Sequence, residues 1–290
     1  MNQRKIKQSF FIICLTIAGL MPFQPSFADK EVTSLFQNNS YFDYDIYWSF
    51  LKIGFARLSF HELEPINNTT ERYEINISIK SNDLISAIYP VDNYIVSMLL
   101  KTDEGIKPLL YTKNSNESGK QTNSKVTFDY QLNQIVEEKN SIPQEPIKLT
   151  PEIQDPLSLI LALCQNDFGA NPIFKQNVSD GGQIVSILSS YLNKEAINTN
   201  LGEFQTQAID IETKGIRGVF KKSPDAKVVL FLSDHSPSIP VKLMSKVSVG
   251  NFHAILSGGV YKGTQIKGIK KDSLERLSSS REQMKKRFKR

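Results

Sequence analysis

The chain has 290 residues, of which 40% are hydrophobic and 22% are charged, and its formal net charge at pH 7 is +5. This composition can bury a sizeable core and excludes a globally disordered chain, while the length allows one or two domains. Residues 262–290 carry a net charge of +8 and residues 1–28 carry +3, which leaves −6 on residues 29–261. The basic excess therefore lies at the two ends, and it does not indicate that the folded part binds nucleic acid.

The first 28 residues have the three parts of a secretory signal peptide. A basic start at residues 4–7 is followed by an apolar run at residues 10–20 and by the small-x-small site Ser26-Phe27-Ala28. The apolar run is shorter than the roughly 20 residues of a spanning helix, which disfavours an uncleaved membrane anchor. We therefore expect cleavage near Ala28 and an exported protein that is periplasmic or associated with the cell envelope.

Alternating apolar and polar residues predict β-strands through most of the mature chain. The first strand, at residues 42–50, places aromatic and aliphatic side chains on one face and Asp43 and Asp45 on the other. The clearest is at residues 73–80, where Tyr73 and three isoleucines alternate with polar residues. Further strands are predicted at residues 53–63, 91–100, 106–113, 126–130, 134–138, 183–192, 195–199, 204–212, 228–232, 239–249 and 252–260. Frequent strands joined by short turns favour an antiparallel sheet.

Residues 155–164 interrupt this pattern with a predicted helix. Asp155 is a good helix cap, Pro156 suits the first helical position, and the following residues are apolar almost all round except for Ser158. A helix without a polar face is expected to be buried on several sides, and this one is too short to span a bilayer. The sequence therefore predicts a mainly β fold: one curved, half-barrel-like antiparallel sheet around one buried helix, in a single domain of residues 29–261.

The mature chain keeps one cysteine, Cys164, so no internal disulfide is expected. Because Cys164 lies in the apolar helix, it is interpreted as a small core side chain, in preference to a nucleophile. The domain must then be stabilised by its core and its sheet.

Several stretches share a pattern with a known family. The first half contains Tyr44-x-Ile46-x-Trp48, Lys52-Ile53-Gly54 and Asp155-Pro156-Leu157-Ser158. The second half contains Ser179-Asp180-Gly181-Gly182, then Glu195 and Leu201-Gly202-Glu203-Phe204, and the most specific segments, residues 228–233, 239–242 and 249–252. Together they resemble the DUF3108 family, exported bacterial proteins of unknown function, over residues 41–256.

The resemblance to DUF3108 implies a β-rich periplasmic or envelope-associated domain, and it implies no established activity. The closing hairpin of the family often carries a tryptophan before its turn, whereas this chain has Val229-Leu230-Phe231-Leu232. The general plan, a curved sheet around a helix, is also similar to that of the lipoprotein carriers of the bacterial envelope, as a likeness of fold only.

No motif predicts catalysis, a cofactor or a metal. The three histidines, His61, His235 and His253, have no second histidine or cysteine at ligand spacing. His235 lies beside Asp234 and Ser236 in a predicted turn, where neighbours in sequence do not make a catalytic triad. We therefore expect a non-enzymatic protein without a cofactor or metal; the competing hypothesis is a hydrolase whose carboxylates the sequence does not single out.

Two non-enzymatic functions stay open. In the first, the curved sheet of a monomeric protein binds an apolar or amphiphilic, lipid-like ligand through Tyr44, Ile46, Trp48, Ile75, Ile77, Leu157 and Ile160. In the second, these side chains are solid core, and the protein is a structural or interaction component of the envelope with a protein partner. Neither function involves nucleic acid.

Residues 262–290 form a basic tail with a sparse apolar pattern. Leu274, Leu277, Met284 and Phe288 would fall near one face of a helix, with the cations mostly elsewhere. The tail is therefore either an amphipathic helix or a solvated, disordered segment, because three serines interrupt the pattern. If the tail contacts an anionic membrane surface, we expect the contact at Lys285, Lys286, Arg287 and Phe288.

Overall fold

The computed structural model describes residues 35–36, 39–65, 71–102, 105–212, 226–234, 238–247 and 250–268. Within these ranges the chain forms 17 strands of a single sheet and two helices. The prediction of a mainly β fold with a large curved sheet is confirmed. None of the helices in the described ranges is long and apolar enough to cross a membrane.

The first half of the chain forms seven main strands and three short ones. Their bounds are β1 Tyr41–Trp48, β2 Leu51–Leu63, β3 Arg72–Ser81, β4 Val91–Thr102, β5 Gly105–Glu117, β6 Lys120–Asp129, β7 Gln134–Lys139, β8 Ile142–Pro143, β9 Ile147–Lys148 and β10 Ile153–Gln154. The short helix α1, Asp83–Ser86, connects β3 to β4.

The second half follows the helix α2, Pro156–Gln165. Its strands are β11 Ile173–Ser179, β12 Ile184–Thr199, β13 Gly202–Ile211, β14 Lys227–Ser233, β15 Pro240–Val247, β16 Gly250–Tyr261 and β17 Thr264–Gln265.

Strand β1 lies at the middle of the sheet and joins its two halves. It pairs antiparallel with β2 on one side and with β16 on the other. From β2 each strand pairs with the next as far as β7, and from β16 the pairing runs back through β15 to β11. The parallel pair β10–β11 extends the second half. The last long strands at the two ends of this order are therefore β7 and β11, with β8 and β9 beside β7 and β10 beside β11.

These two ends meet at the carboxylate of Glu137 on β7. One oxygen, Oε2, accepts a hydrogen bond of 2.8 Å from the Gly182 N–H in the β11–β12 turn and lies 3.0 Å from Lys139 Nζ. The other, Oε1, accepts a hydrogen bond of 3.2 Å from Ser124 Oγ. Burial acts to raise the pKa of Glu137, but these partners outweigh it and hold the pKa below its ordinary value. The buried carboxylate thus connects the ends of a curled sheet.

Helix α2 packs against β3, β4, β10 and β11. It runs one residue beyond the predicted helix, and its side chains are not equally enclosed. The buried positions are Leu157, Ser158, Leu161, Leu163 and Cys164, whereas Leu159 and Ile160 keep part of their surface accessible. The helix therefore has a more exposed edge than its all-round apolar sequence suggests.

Aromatic rings form part of the core where β1 begins. The rings of Phe36 and Tyr73 stack with centroids 4.3 Å apart, and Phe60 makes edge contacts with Phe36 at 5.6 Å and with Phe42 at 5.7 Å. Such ring pairs contribute about 0.5–1.5 kcal/mol beyond the area they bury. Phe42, which begins the apolar face of the first predicted strand, therefore belongs to the core.

The fold extends past the predicted domain boundary at residue 261. Strand β17 pairs with the end of β16, Ile266 packs against the core, and the Gly268 N–H donates to the Leu201 carbonyl at 2.9 Å. Residues 262–268 therefore belong to the folded domain and not to the tail. Residues 1–28, the predicted signal peptide, and residues 269–290, the rest of the tail, lie outside the described residues.

We expect Gly181→Ala to destabilise the fold by about 1–3 kcal/mol more than Gly119→Ala, because an added side chain would overpack the contact with Glu137. Both glycines have positive φ, +123° at Gly181 and +82° at Gly119. A Cβ at Gly181 would lie 2.3 Å from Glu137 Cδ, whereas at Gly119 it would meet nothing within 4 Å. Urea unfolding of both variants measures the difference, and equal losses would contradict the role given to the Glu137 contact.

Candidate functional site

The strand register of β1 to β7 defines one concave face, which we call the inner face. Tyr44 lies opposite Ala56, Ala56 opposite Ile79, and Ile77 opposite Ile95, so these side chains point to the same side. Ser97 and Tyr111 continue this face onto β5. Helix α2 is anchored on it, because Ser97 Oγ donates to the Asp155 carboxylate.

An apolar part of the inner face stays accessible beside the helix. Four isoleucines on β1, β3 and β4 pack against the core and keep part of their surface exposed. We call them the isoleucine floor: Ile46, Ile77, Ile79 and Ile95. Accessible apolar side chains side by side on a concave surface are the usual lining of a small-molecule site.

Polar groups border the floor on β4 and β5. Asn93 and Ser115 are buried and lie directly opposite each other. The Asn93 amide donates to Glu117 Oε1 at 3.0 Å and accepts from the Asn116 N–H at 3.1 Å. Ser115 Oγ, in contrast, has no hydrogen-bond partner among the described residues. A buried hydroxyl without a partner costs about 1–3 kcal/mol of stability.

Lys113 places a cation at the same border. It lies opposite Ile95 in the register, between β4 and Ser124 on β6, and its side chain is exposed. The apolar floor therefore has an exposed cation at its edge.

The Asp155 carboxylate is the second buried acid of the inner face. Its oxygens accept hydrogen bonds from Ser97 Oγ at 2.5 Å, Leu157 N–H at 2.8 Å and Ser158 N–H at 3.0 Å. Burial raises the pKa of Asp155 to about 6, and the hydrogen bonds act in the opposite direction. With its side chain fully enclosed and its oxygens occupied, Asp155 attaches the helix to the sheet and offers no oxygen to a substrate.

The structure divides the seven predicted ligand-binding residues into three groups. Those that form core are Tyr44, Ile75 and Leu157. Those that are partly accessible in the interior are Ile46, Ile77 and Ile160. Trp48 lies half-exposed at the end of β1, beyond the floor. The predicted membrane-contact residues, Lys285, Lys286, Arg287 and Phe288, lie outside the described residues.

Four residues of this region were not predicted as site residues: Ile79, Ile95, Lys113 and Ser115. The alternation of β3 places Ile79 on the same face as Ile77, so the sequence pattern could have identified Ile79 as a site residue. Ile95 and Lys113 lie in strands whose polar and apolar residues do not alternate cleanly. Their place on the inner face follows from the strand register, which the sequence does not show.

Two open depressions lie away from the floor. One, of about 410 Å³, is lined by Phe36, Glu62, Glu64 and neighbouring residues. The other, of about 400 Å³, lies beside Arg57 and Asp43, whose charged groups already hold each other through two hydrogen bonds of 2.6 and 2.9 Å. Within the described part of the chain, no cluster of three or more histidine, cysteine or acidic residues is arranged to hold a metal ion. We take the isoleucine floor as the candidate site, because it combines accessible apolar side chains with the exposed cation of Lys113.

Comparison with known proteins gives a matching family and a distant structural likeness. The family model for DUF3108, "Protein of unknown function", matches residues 43–257. Among solved structures, a beta-barrel-like protein of the domain of unknown function DUF1849 from Brucella abortus is similar at 8% sequence identity and a TM-score of 0.47. The likeness covers 78% of this chain and 98% of that one. No curated protein matches the chain.

The pKa of Asp155 gives a prediction for stability against pH. Because the folded pKa, about 6, exceeds the ordinary 3.8, this group favours folding most below pH 4. That contribution is lost as pH rises through 6. The shift of about two pKa units corresponds to a loss of at most roughly 3 kcal/mol in the free energy of unfolding. We therefore expect Asp155→Asn, which does not titrate, to gain stability relative to the native protein between pH 4 and pH 7.

Urea unfolding of both proteins across this range measures the change. Ser97→Ala is the companion variant, because losing this donor should raise the pKa of Asp155 further and steepen the dependence. A stability difference between Asp155→Asn and the native protein that stays constant with pH would show that Asp155 has no raised pKa.

Proposed function

Because this chain belongs to the DUF3108 family of proteins of unknown function, we propose its function from the inner face. We propose a non-enzymatic protein of the periplasm or cell envelope that binds an apolar or amphiphilic, lipid-like ligand there. The isoleucine floor is the observation that carries this proposal. Its four side chains give an apolar surface next to the core that a hydrocarbon chain can cover.

The polar border makes an amphiphile with an acidic head the best-fitting ligand. Lys113, which is exposed and lies opposite Ile95, supplies a cation for a carboxylate or phosphate. The hydrocarbon part would lie along the floor, with its head between β4 and β6.

The chemistry of the buried polar groups supports binding over catalysis. Asp155 is closed off by three donors. Burial raises the pKa of the Cys164 thiol to about 12, which keeps it protonated and poorly nucleophilic at neutral pH. The signal-peptide pattern of residues 1–28 supports export.

A structural or interaction role in the envelope remains the second candidate. It is favoured by Tyr44, Ile75 and Leu157, which were proposed as ligand contacts and are instead enclosed in the core. Under this role the partner would be another protein, and the floor would stay empty of lipid.

Native mass spectrometry of protein purified from its host distinguishes the two candidates. We expect co-purified lipid and binding of a fluorescent fatty-acid probe. Ile95→Trp should weaken probe binding about tenfold, since the larger ring occupies the floor. Val96→Trp is the matched control, because Val96 is the next residue, is also partly exposed and faces the other side of β4. Ligand-free protein that fails to bind the probe would favour the structural role.

A second variant tests the head-group contact. Lys113→Glu should weaken binding of a fatty acid more than binding of the corresponding uncharged fatty alcohol, because the new charge repels only the carboxylate. Lys125→Glu is the control, since this residue is exposed on the outer side of β6, next to Ser124. The ratio of the two affinities is the measurement, and an unchanged ratio would remove Lys113 from the site.

A further inference from the structure

Large apolar side chains are exposed at one end of the sheet. They come from two neighbouring places: the two-residue β1–β2 turn with the strand residues that flank it, and the segment between β3 and β4 that contains α1. Phe50 is 94% exposed and Ile88 is 80% exposed, although tight turns usually carry small or polar residues. We call the set the apolar rim: Trp48, Phe50, Leu51, Leu84, Ile88 and Tyr89.

Hydrogen bonds hold both parts of the rim in place. The Asn82 N–H donates to the Ile53 carbonyl at 3.0 Å, and the Asn82 amide donates to the Lys52 carbonyl at 2.7 Å, so the second connection is tied to β2. The Ser49 N–H donates to the Asn251 carbonyl at 2.8 Å. Beside it, a Cβ added at Gly250 would lie 2.2 Å from Trp48 Nε1, so the indole packs directly against this glycine. These contacts therefore fix the backbone that carries the rim, and the rim side chains are exposed in the folded protein.

From these observations we infer that the apolar rim inserts into the interface of a lipid bilayer. An exposed apolar cluster marks either a protein or a lipid contact. Two features favour lipid. The side chains come from two separate chain reversals and the strand ends beside them, so they do not form a flat strand face, and Trp48 and Tyr89 join aliphatic residues. Tryptophan and tyrosine beside aliphatic side chains are typical of membrane interfaces.

The charges beside the rim predict which lipids it contacts. Lys52 lies 2.8 Å from Asp45, and Lys80 lies 3.2 Å from Asp92, so these cations are already balanced by acids. Insertion therefore depends on apolar contact, and zwitterionic lipids suffice. This separates the rim from the basic tail, whose contact would require anionic lipid.

The position of the rim links it to the isoleucine floor. Trp48 follows Ile46 at the next position on the same side of β1, so the floor leads towards the rim. The described chain ends at Gly268, after β17, which pairs with the opposite end of β16. The inference goes beyond the proposed ligand binding, because the rim can contact a bilayer whether or not the floor holds a molecule.

Trp48 is the single tryptophan of the chain, so its fluorescence reports directly on the rim. The test uses the mature chain from Asp29, with vesicles of pure phosphatidylcholine. We expect a blue shift of Trp48 emission, quenching by nitroxide-labelled lipid, and co-sedimentation of the protein. The double variant Phe50→Ser/Ile88→Ser should lower the vesicle partition coefficient on the order of 100-fold.

Matched variants separate the rim from other sources of binding. Leu84→Ser should weaken partition about tenfold, whereas Leu132→Ser, equally exposed at the opposite end (68% against 65%), should not change it. Serine at Lys285, Lys286, Arg287 and Phe288 should leave binding to neutral vesicles intact. The rim variants should also bind the soluble fatty-acid probe normally, which keeps this test independent of the floor.

Three results would overturn the inference. The first is Trp48 emission that does not change with vesicles. The second is equal partition of the native protein and the double rim variant. The third is loss of binding in the tail variant with neutral lipid, which would assign the contact to the tail. Unfolding midpoints of all variants should match that of the native protein, since every substituted rim residue is exposed.

Discussion

The contact between Glu137 and the β11–β12 turn links the two ends of the sheet, and the core and the candidate site lie on the side that this closure encloses. A continuous antiparallel sheet centred on β1 has two distant edges, and exposed edges favour uncontrolled strand pairing. Here a buried carboxylate on one end accepts a backbone N–H from the other, next to a glycine that leaves room for it. The curled sheet that results has an enclosed side, and both the core and the floor lie on that side.

The two buried carboxylates behave differently because their partners differ. Glu137 has a lysine, a hydroxyl and a backbone N–H around it, and its pKa is lowered. Asp155 has hydrogen-bond donors but no cation among these contacts, and burial keeps its pKa raised. The ionised Glu137 carboxylate therefore favours the closed sheet at neutral pH. The ionised Asp155 carboxylate lowers the stability of the fold at neutral pH, but its hydrogen bonds hold the start of α2 on β4. That position of the helix covers Ser97 and leaves the isoleucines beside it accessible.

Two accessible apolar surfaces result, and they meet along β1. Ile46 belongs to the floor and Trp48 to the rim, two residues apart on one side of the strand. A protein that took an amphiphile from a bilayer would need such an arrangement: a surface that enters the interface and a sheltered site next to it. Each surface has a separate physical basis, namely strand register for the floor and turn sequence for the rim.

The sequence alone determined the features that depend on local periodicity. Alternation located β1 and β3, and Asp155-Pro156 located the start of the helix, because caps and side-chain periods act over a few residues. The family resemblance was also readable from short segments. The candidate site was only partly predictable. Ile46 and Ile77 were among the predicted residues and line the floor, whereas Tyr44 and Ile75, with the same alternation, and Leu157 on the helix are core.

Tertiary structure decided which apolar side chains stay accessible, because that depends on where α2 lies across strands far away in the chain. It also decided the pairing of Glu137 with Gly182, 45 residues apart, and the place of residues 262–268 in the fold. Such contacts join residues that are far apart in the chain, and the local sequence around one residue does not predict the other. Periodicity tells which face a side chain occupies, and only packing tells whether that face is covered.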